Sequence, residues 1–271
     1  MISDVSALIS LVLYFGGFVL YFLNFELISD RSSKIGSMLV VAGGTLQYVC
    51  LLAVMGHCKI FGEPGTAQEF YAIAVLTAAV AVFFGVRYKA SFLMLFSLPV
   101  TLVFTLLGLV LSQKSQKLAM EMQPGWLWFH VGFIVAGYAA LLVAASAAVM
   151  YLLQAWQLKS KQLGQLFLKL PPLAVLDRVH FVALSWGVAL FSLGVLGGLF
   201  WAQELQSLAH VFGDVRVTIS FLVCGLYWVV LGLRMSRVQK EKKIARSTIV
   251  LSLLLVVAML SSHTIAGGFH R

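Results

Sequence analysis

The sequence predicts an all-α, polytopic integral membrane protein of about eight transmembrane helices with both termini outside. Three observations predict it. Hydrophobic residues make up 61% of the 271 positions and charged residues 11%, against roughly 25% charged in a soluble globular domain, so the chain cannot make a water-facing surface. Nearly uncharged stretches of about 20 residues, long enough to cross a bilayer, recur from end to end. None shows the period-2 polar alternation of a barrel strand, and backbone groups in lipid must be paired internally, which leaves helices.

In chain order the apolar segments fall near 5–25, 37–56, 70–86, 92–112, 127–153, 179–201, 217–235 and 247–267. The first follows Met1-Ile-Ser-Asp4, which lacks the positive region of a cleavable signal, and is expected to stay as an anchor. Pro99 in the fourth is expected to kink it. In the sixth, Gly187, Gly194 and Gly198, with Gly197 adjacent, give a smooth face for close helix packing, and Gly43, Gly44, Gly132 and Gly137 are read the same way. The longest polar connections, 154–178, 202–216 and 236–246, are too short to bury a core, so 1–271 is expected to be a single transmembrane domain. Cys50, Cys58 and Cys224 form no CxxC or CxxCH motif and are read as small packing residues.

The net charge of +9 encodes topology rather than a nucleic-acid surface. Lys and Arg gather in alternate connections: with the amino terminus outside, fourteen of the nineteen lie on the inner side, from Arg31 and Lys34 through Arg87, Lys89 and Arg178 to the run 234–246. The outer side keeps Lys59, Lys114, Lys117, Arg216 and Arg271, as the positive-inside rule requires. The 234–246 run reads as a juxtamembrane segment near anionic lipid.

That topology sorts the histidines. His57, His130, His210, His263 and His270 fall toward the outer side; His180 alone begins a span on the inner side. His130 and His270 each lie at the outer end of their own helix, where two imidazoles from different helices can approach a flat ligand from opposite faces, as in bis-histidine haem. His263 lies about two turns, ~10 Å, deeper than His270, as a pocket residue or an alternative ligand; the residues alone do not choose. Trp126, Trp128 and Phe129 lead into His130 and Trp201 ends the sixth span, either sheltering a porphyrin or forming the ordinary interfacial aromatic belt.

No span carries an acid or base at mid-depth, which disfavours an ion pump or proton-coupled transporter. No GxxxxGK[ST], HExxH or GxSxG is present to place a nucleotide, a catalytic zinc or a nucleophilic serine, so the chain is not expected to be an enzyme.

The stretch from Trp126-Leu-Trp-Phe-His130-Val through Gly137-Tyr138-Ala-Ala-Leu-Leu to Tyr151-Leu-Leu-Gln154 resembles the CcsA/CcmC-type cytochrome c assembly family. So do the connector Leu170-Pro-Pro-Leu173-Ala-Val-Leu176-Asp177-Arg178, the helix Gly194-Val-Leu-Gly197-Gly-Leu-Phe-Trp201-Ala202 and the ending Gly268-Phe269-His270. The resemblance is strongest over 87–271. It implies a haem-handling inner-membrane protein supporting cytochrome c biogenesis, with non-covalent haem b held by His130 and His270 as axial ligands. Membrane lipid and other biogenesis or haem-synthesis proteins are the implied partners, and no nucleic acid. Two features depart from the family pattern. The tryptophan-rich WWD segment expected after Trp201-Ala202 is replaced by a loop, 203–216, without tryptophan, and Gly232 stands near the place of a membrane-embedded histidine. Both are similar to a divergent HemX/YpjD-like branch. The alternative is a non-catalytic scaffold or regulator of tetrapyrrole synthesis that keeps the fold without haem.

Overall fold

The computed structural model describes residues 2–27, 30–55, 66–90, 92–112, 124–161, 170–205 and 215–264. Among them are eight α-helices and no strand: α1 (Ile2–Leu27), α2 (Asp30–Met55), α3 (Thr66–Arg87), α4 (Leu93–Ser112), α5 (Pro124–Ser160), α6 (Leu173–Leu205), α7 (Val215–Met235) and α8 (Glu241–Thr264). All eight are long and apolar enough to cross a membrane, matching the segments read from hydropathy. Most helices run past the apolar segments; α2 starts at Asp30 rather than 37 and α6 at Leu173 rather than 179. α5 continues seven residues past 153, and α8 starts at Glu241 rather than 247. Charged residues extend a helix once it leaves hydrocarbon: Glu241, Lys242 and Lys243 are exposed while Ile244 and Ala245 are buried, the pattern of an amphipathic first turn.

The chain forms two compact units, Met1–Leu118 with Val149–Val179 and Ala119–Ala148 with His180–Arg271. In the first, α1 packs along α2 and α4, and α3 along α4 and α2. Polar side chains join α1 to α2: Ser10 donates to the Gly43 carbonyl (2.9 Å), Tyr14 donates to Gln47 Oε1 (3.1 Å), and Tyr21 and Ser37 share a bond of 2.6 Å. Gly17 makes the approach possible, since a Cβ there would lie 3.2 Å from the Gly36 carbonyl. α4 runs on past Pro99, whose side chain is exposed.

The α3–α4 connection is a tight stop. Lys89 is left-handed (φ 52°), Ala90 N–H donates to Gly85 O (2.8 Å) and Lys89 N–H to Val86 O (3.4 Å), which together make a Schellman cap. Lys161 after α5 (φ 56°) and Arg237 after α7 (φ 55°) are the other non-glycine residues with positive φ among those described.

In the second unit, α7 packs on α8. Tyr227 and Ser252 share a bond of 2.9 Å, and Trp228 donates to Ser192 Oγ (2.8 Å). Buried hydroxyls in both units turn back on their own helix: Thr101, Thr105, Ser146 and Thr248 each donate to the carbonyl four residues earlier. An apolar surround offers them no water.

Candidate functional site

Within the second unit, α5 and α6 meet along a seam of small residues that places His130. A Cβ on Gly187 would lie 3.0 Å from Leu141 N, and one on Gly194 would lie 2.7 Å from Ile134 N; on α5, a Cβ on Gly137 would lie 2.6 Å from Phe191 N. The contact positions are 130, 134, 137 and 141 on one helix and 198, 194, 191 and 187 on the other. Each step forward along α5 matches an equal step back along α6, so the helices run antiparallel in strict register. The small-residue reading of Gly187, Gly194 and Gly198 holds. Their gap, at Phe191, is filled by the glycine of the partner helix, and Tyr138 adds an edge-on ring contact to Phe191 (5.5 Å).

Toward the amino-terminal end of α5 in this seam the His130 imidazole lies in the notch over Gly198, where a Cβ would stand 2.5 Å from Cε1 and 2.7 Å from Nδ1. Its Nδ1 is 2.7 Å from the Gly194 carbonyl oxygen. A carbonyl only accepts, so Nδ1 carries the hydrogen and donates, and the neutral ring keeps its lone pair on Nε2. Phe129 beside it is 40% exposed and stacks obliquely on Phe133 at 4.5 Å.

Of the other residues singled out from sequence, Trp126 and Trp128 lie in the first turns of α5, Trp201 in α6 and His263 in α8; for these only the backbone is described. His270, His57 and His210 lie outside the described residues. His180 is different in kind. It is 2% exposed and its Nε2 lies 3.0 Å from Thr248 Oγ1. Thr248 spends its own hydrogen on the Ile244 carbonyl (3.0 Å), so His180 donates and its hydrogen is on Nε2. Arg234 lies close by, over the Phe181 ring at 5.7 Å and 3.6 Å from Glu241. Cys50 and Cys224 are buried free thiols, Cys224 Sγ resting 3.3 Å from Ser192 Oγ. No group of three or more His, Cys, Asp or Glu is placed to hold a bare metal ion among the described residues.

The sequence reading named Gly137 and Gly194 as packing glycines but not what they meet, Phe191 for the one and the His130 imidazole for the other, while Gly132, read the same way, has nothing within 4 Å.

A protein-family model described as "Cytochrome C assembly protein" matches residues 65–270. The chain belongs to that family. As a cytochrome c assembly protein it is similar to Protein HemX of Bacillus subtilis, 23% identical over 230 residues, 83% of this chain and 82% of that protein. The inner membrane protein YpjD of Escherichia coli is 30% identical over 129 residues, 46% of this chain and 48% of YpjD. A cytochrome c biogenesis protein CcsA from Synechococcus is 24% identical over 179 residues, 58% of this chain and 59% of that protein. The matched part thus spans about half the length of YpjD and under two thirds of CcsA. Eight membrane-crossing helices and these bacterial relatives make this family member a multi-pass inner-membrane protein.

Proposed function

We propose that this chain handles haem in support of cytochrome c biogenesis, and that His130 ligates haem iron through Nε2. The observation that carries the reading is the 2.7 Å bond from His130 Nδ1–H to the Gly194 carbonyl. Ligating histidines characteristically donate their other ring N–H to a carbonyl or carboxylate, which fixes the tautomer and makes the free nitrogen a better ligand. His130 meets that condition on a closely packed helix pair, so its donor chemistry would suit a ligand of haem iron.

His270, or else His263, supplies the second ligand in this reading, and Trp126, Trp128 and Trp201 the aromatic surround. With no CxxCH in the sequence, the group is non-covalent haem b, which supplies the redox-active iron when bound. The chain's own part is to hold and orient it; no catalytic step is assigned to the protein. The long match to HemX, and the absence of tryptophan from 203–216, support placing the chain in a HemX/YpjD-like branch. A biogenesis or haem-synthesis partner protein then provides what that loop lacks.

The test is the absorbance of the detergent-purified full chain. A Soret band that disappears in His130→Ala and His270→Ala supports the reading. An unchanged band in both variants overturns the ligand assignment. Purification without any haem absorbance, together with a co-purifying partner protein, replaces it with the scaffold or regulator of tetrapyrrole synthesis.

A further inference from the structure

In the first unit two arginines from different helices converge on one aromatic ring. Arg87 ends α3, and Arg178 lies near the start of α6. Their guanidinium carbons stand 5.5 and 5.9 Å from the centroid of the Tyr88 ring. Tyr88 itself is held firmly. Phe84, one turn earlier, stacks on it nearly parallel (5.7 Å, 12°), its backbone N–H donates to the Phe84 carbonyl (3.0 Å), and the Lys89 cap follows immediately.

Cation–π attraction accounts for one guanidinium over the ring; a second brings a like charge into the same small region. Both arginines and Lys89 are exposed, and neither guanidinium has a carboxylate partner among the described residues. The cluster sits at the membrane boundary, because the apolar span of α3 ends at Arg87 and that of α6 begins at Leu173. The charge pattern marks this as the inner side, where the leaflet carries anionic lipid. A planar guanidinium presents a fork of N–H donors that matches phosphate oxygens, and two such forks and a phenol O–H around one ring at headgroup depth are donors that a phosphate can accept from.

We propose that Arg87, Arg178 and Tyr88 hold the phosphate of an anionic phospholipid headgroup at the inner leaflet. The site is independent of the haem reading and lies wholly in the first unit.

Native mass spectrometry of the full chain, released from detergent with equal amounts of phosphatidylglycerol and phosphatidylcholine, tests it. The wild type is expected to retain one phosphatidylglycerol. The double variant Arg87→Gln with Arg178→Gln is expected to retain at least about tenfold less, since tenfold is the scale of one lost charge-assisted contact and two are removed. The charge-matched control Arg237→Gln with Lys240→Gln keeps it. Arg87→Lys with Arg178→Lys preserves charge but not the fork, should fall between the two, and decides the matter if the glutamine variant loses its helical circular dichroism. Equal loss in the control, or full retention in both arginine variants, overturns the site. Displacement of the lipid by inorganic phosphate at matched ionic strength overturns the lipid as its ligand.

Discussion

The amino-terminal turns of α5 and of α6 each hold a histidine, and the two are wired oppositely. His130 gives its Nδ1 hydrogen to a backbone carbonyl. His180 gives its Nε2 hydrogen to a threonine hydroxyl. Nε2 is the ring nitrogen farther from the main chain, so His130 keeps its lone pair on the atom with the longer reach, whereas His180 spends that atom on holding α6 to α8. Two histidines of one unit therefore do different work, one as candidate ligand and one as interhelical glue, and the difference lies in which nitrogen is occupied rather than in burial alone.

The sharpest way to break the contrast is to remove each ring. His130→Ala is expected to abolish haem absorbance in the purified protein, and His180→Ala to leave haem content per folded protein unchanged; equal haem loss would erase the distinction. The notch beneath His130 comes next. Gly198→Val must push the imidazole off its seat, and overpacking of this kind costs about 1–3 kcal/mol, read as a lower unfolding temperature in detergent together with an altered Soret position. Gly132→Ala, two residues from His130 but with no atom within 4 Å of its new methyl, should change stability by no more than about 0.5–1 kcal/mol and in the favourable direction.

At the other histidine, Thr248→Val leaves the buried His180 N–H without its acceptor, a loss of about 1–3 kcal/mol, with haem retained and Thr248→Ser restoring stability. A smaller loss than at Thr248 is expected from Tyr227→Phe, which deletes one interhelical hydrogen bond to Ser252 and costs about 1 kcal/mol by the same measurement.

The spans were legible because hydrocarbon imposes a single composition on about 20 consecutive residues, and the glycine face of α6 was legible because its residues share one helix. What stayed hidden needs two helices at once. Nothing in the local sequence around Gly137 says that Phe191 faces it, and a carbonyl acceptor such as that of Gly194 leaves no side-chain signature at all. The pairing of Tyr14 with Gln47 was invisible for the same reason. The helical start of α8 was misplaced because charge was read as loop, although Glu, Lys and Arg are good helix formers once outside the bilayer. The His130–His270 pairing rests on topology and resemblance, with His270 outside the described residues.

The left-handed stops at Lys89, Lys161 and Arg237 have a consequence for how the protein is made. Glycine is the usual occupant of that position because a side chain there costs about 1–2 kcal/mol. Here a cation takes it, after α3, α5 and α7, three of the four helices that the charge pattern runs from outer to inner face. A positive charge at a helix carboxyl end offsets part of the cost through the macrodipole. During insertion the same charge is what retains that end on the cytoplasmic side. One residue thus serves as both punctuation and address: replacing any of the three by glycine would improve the stop while deleting an instruction for which way the helix enters the membrane.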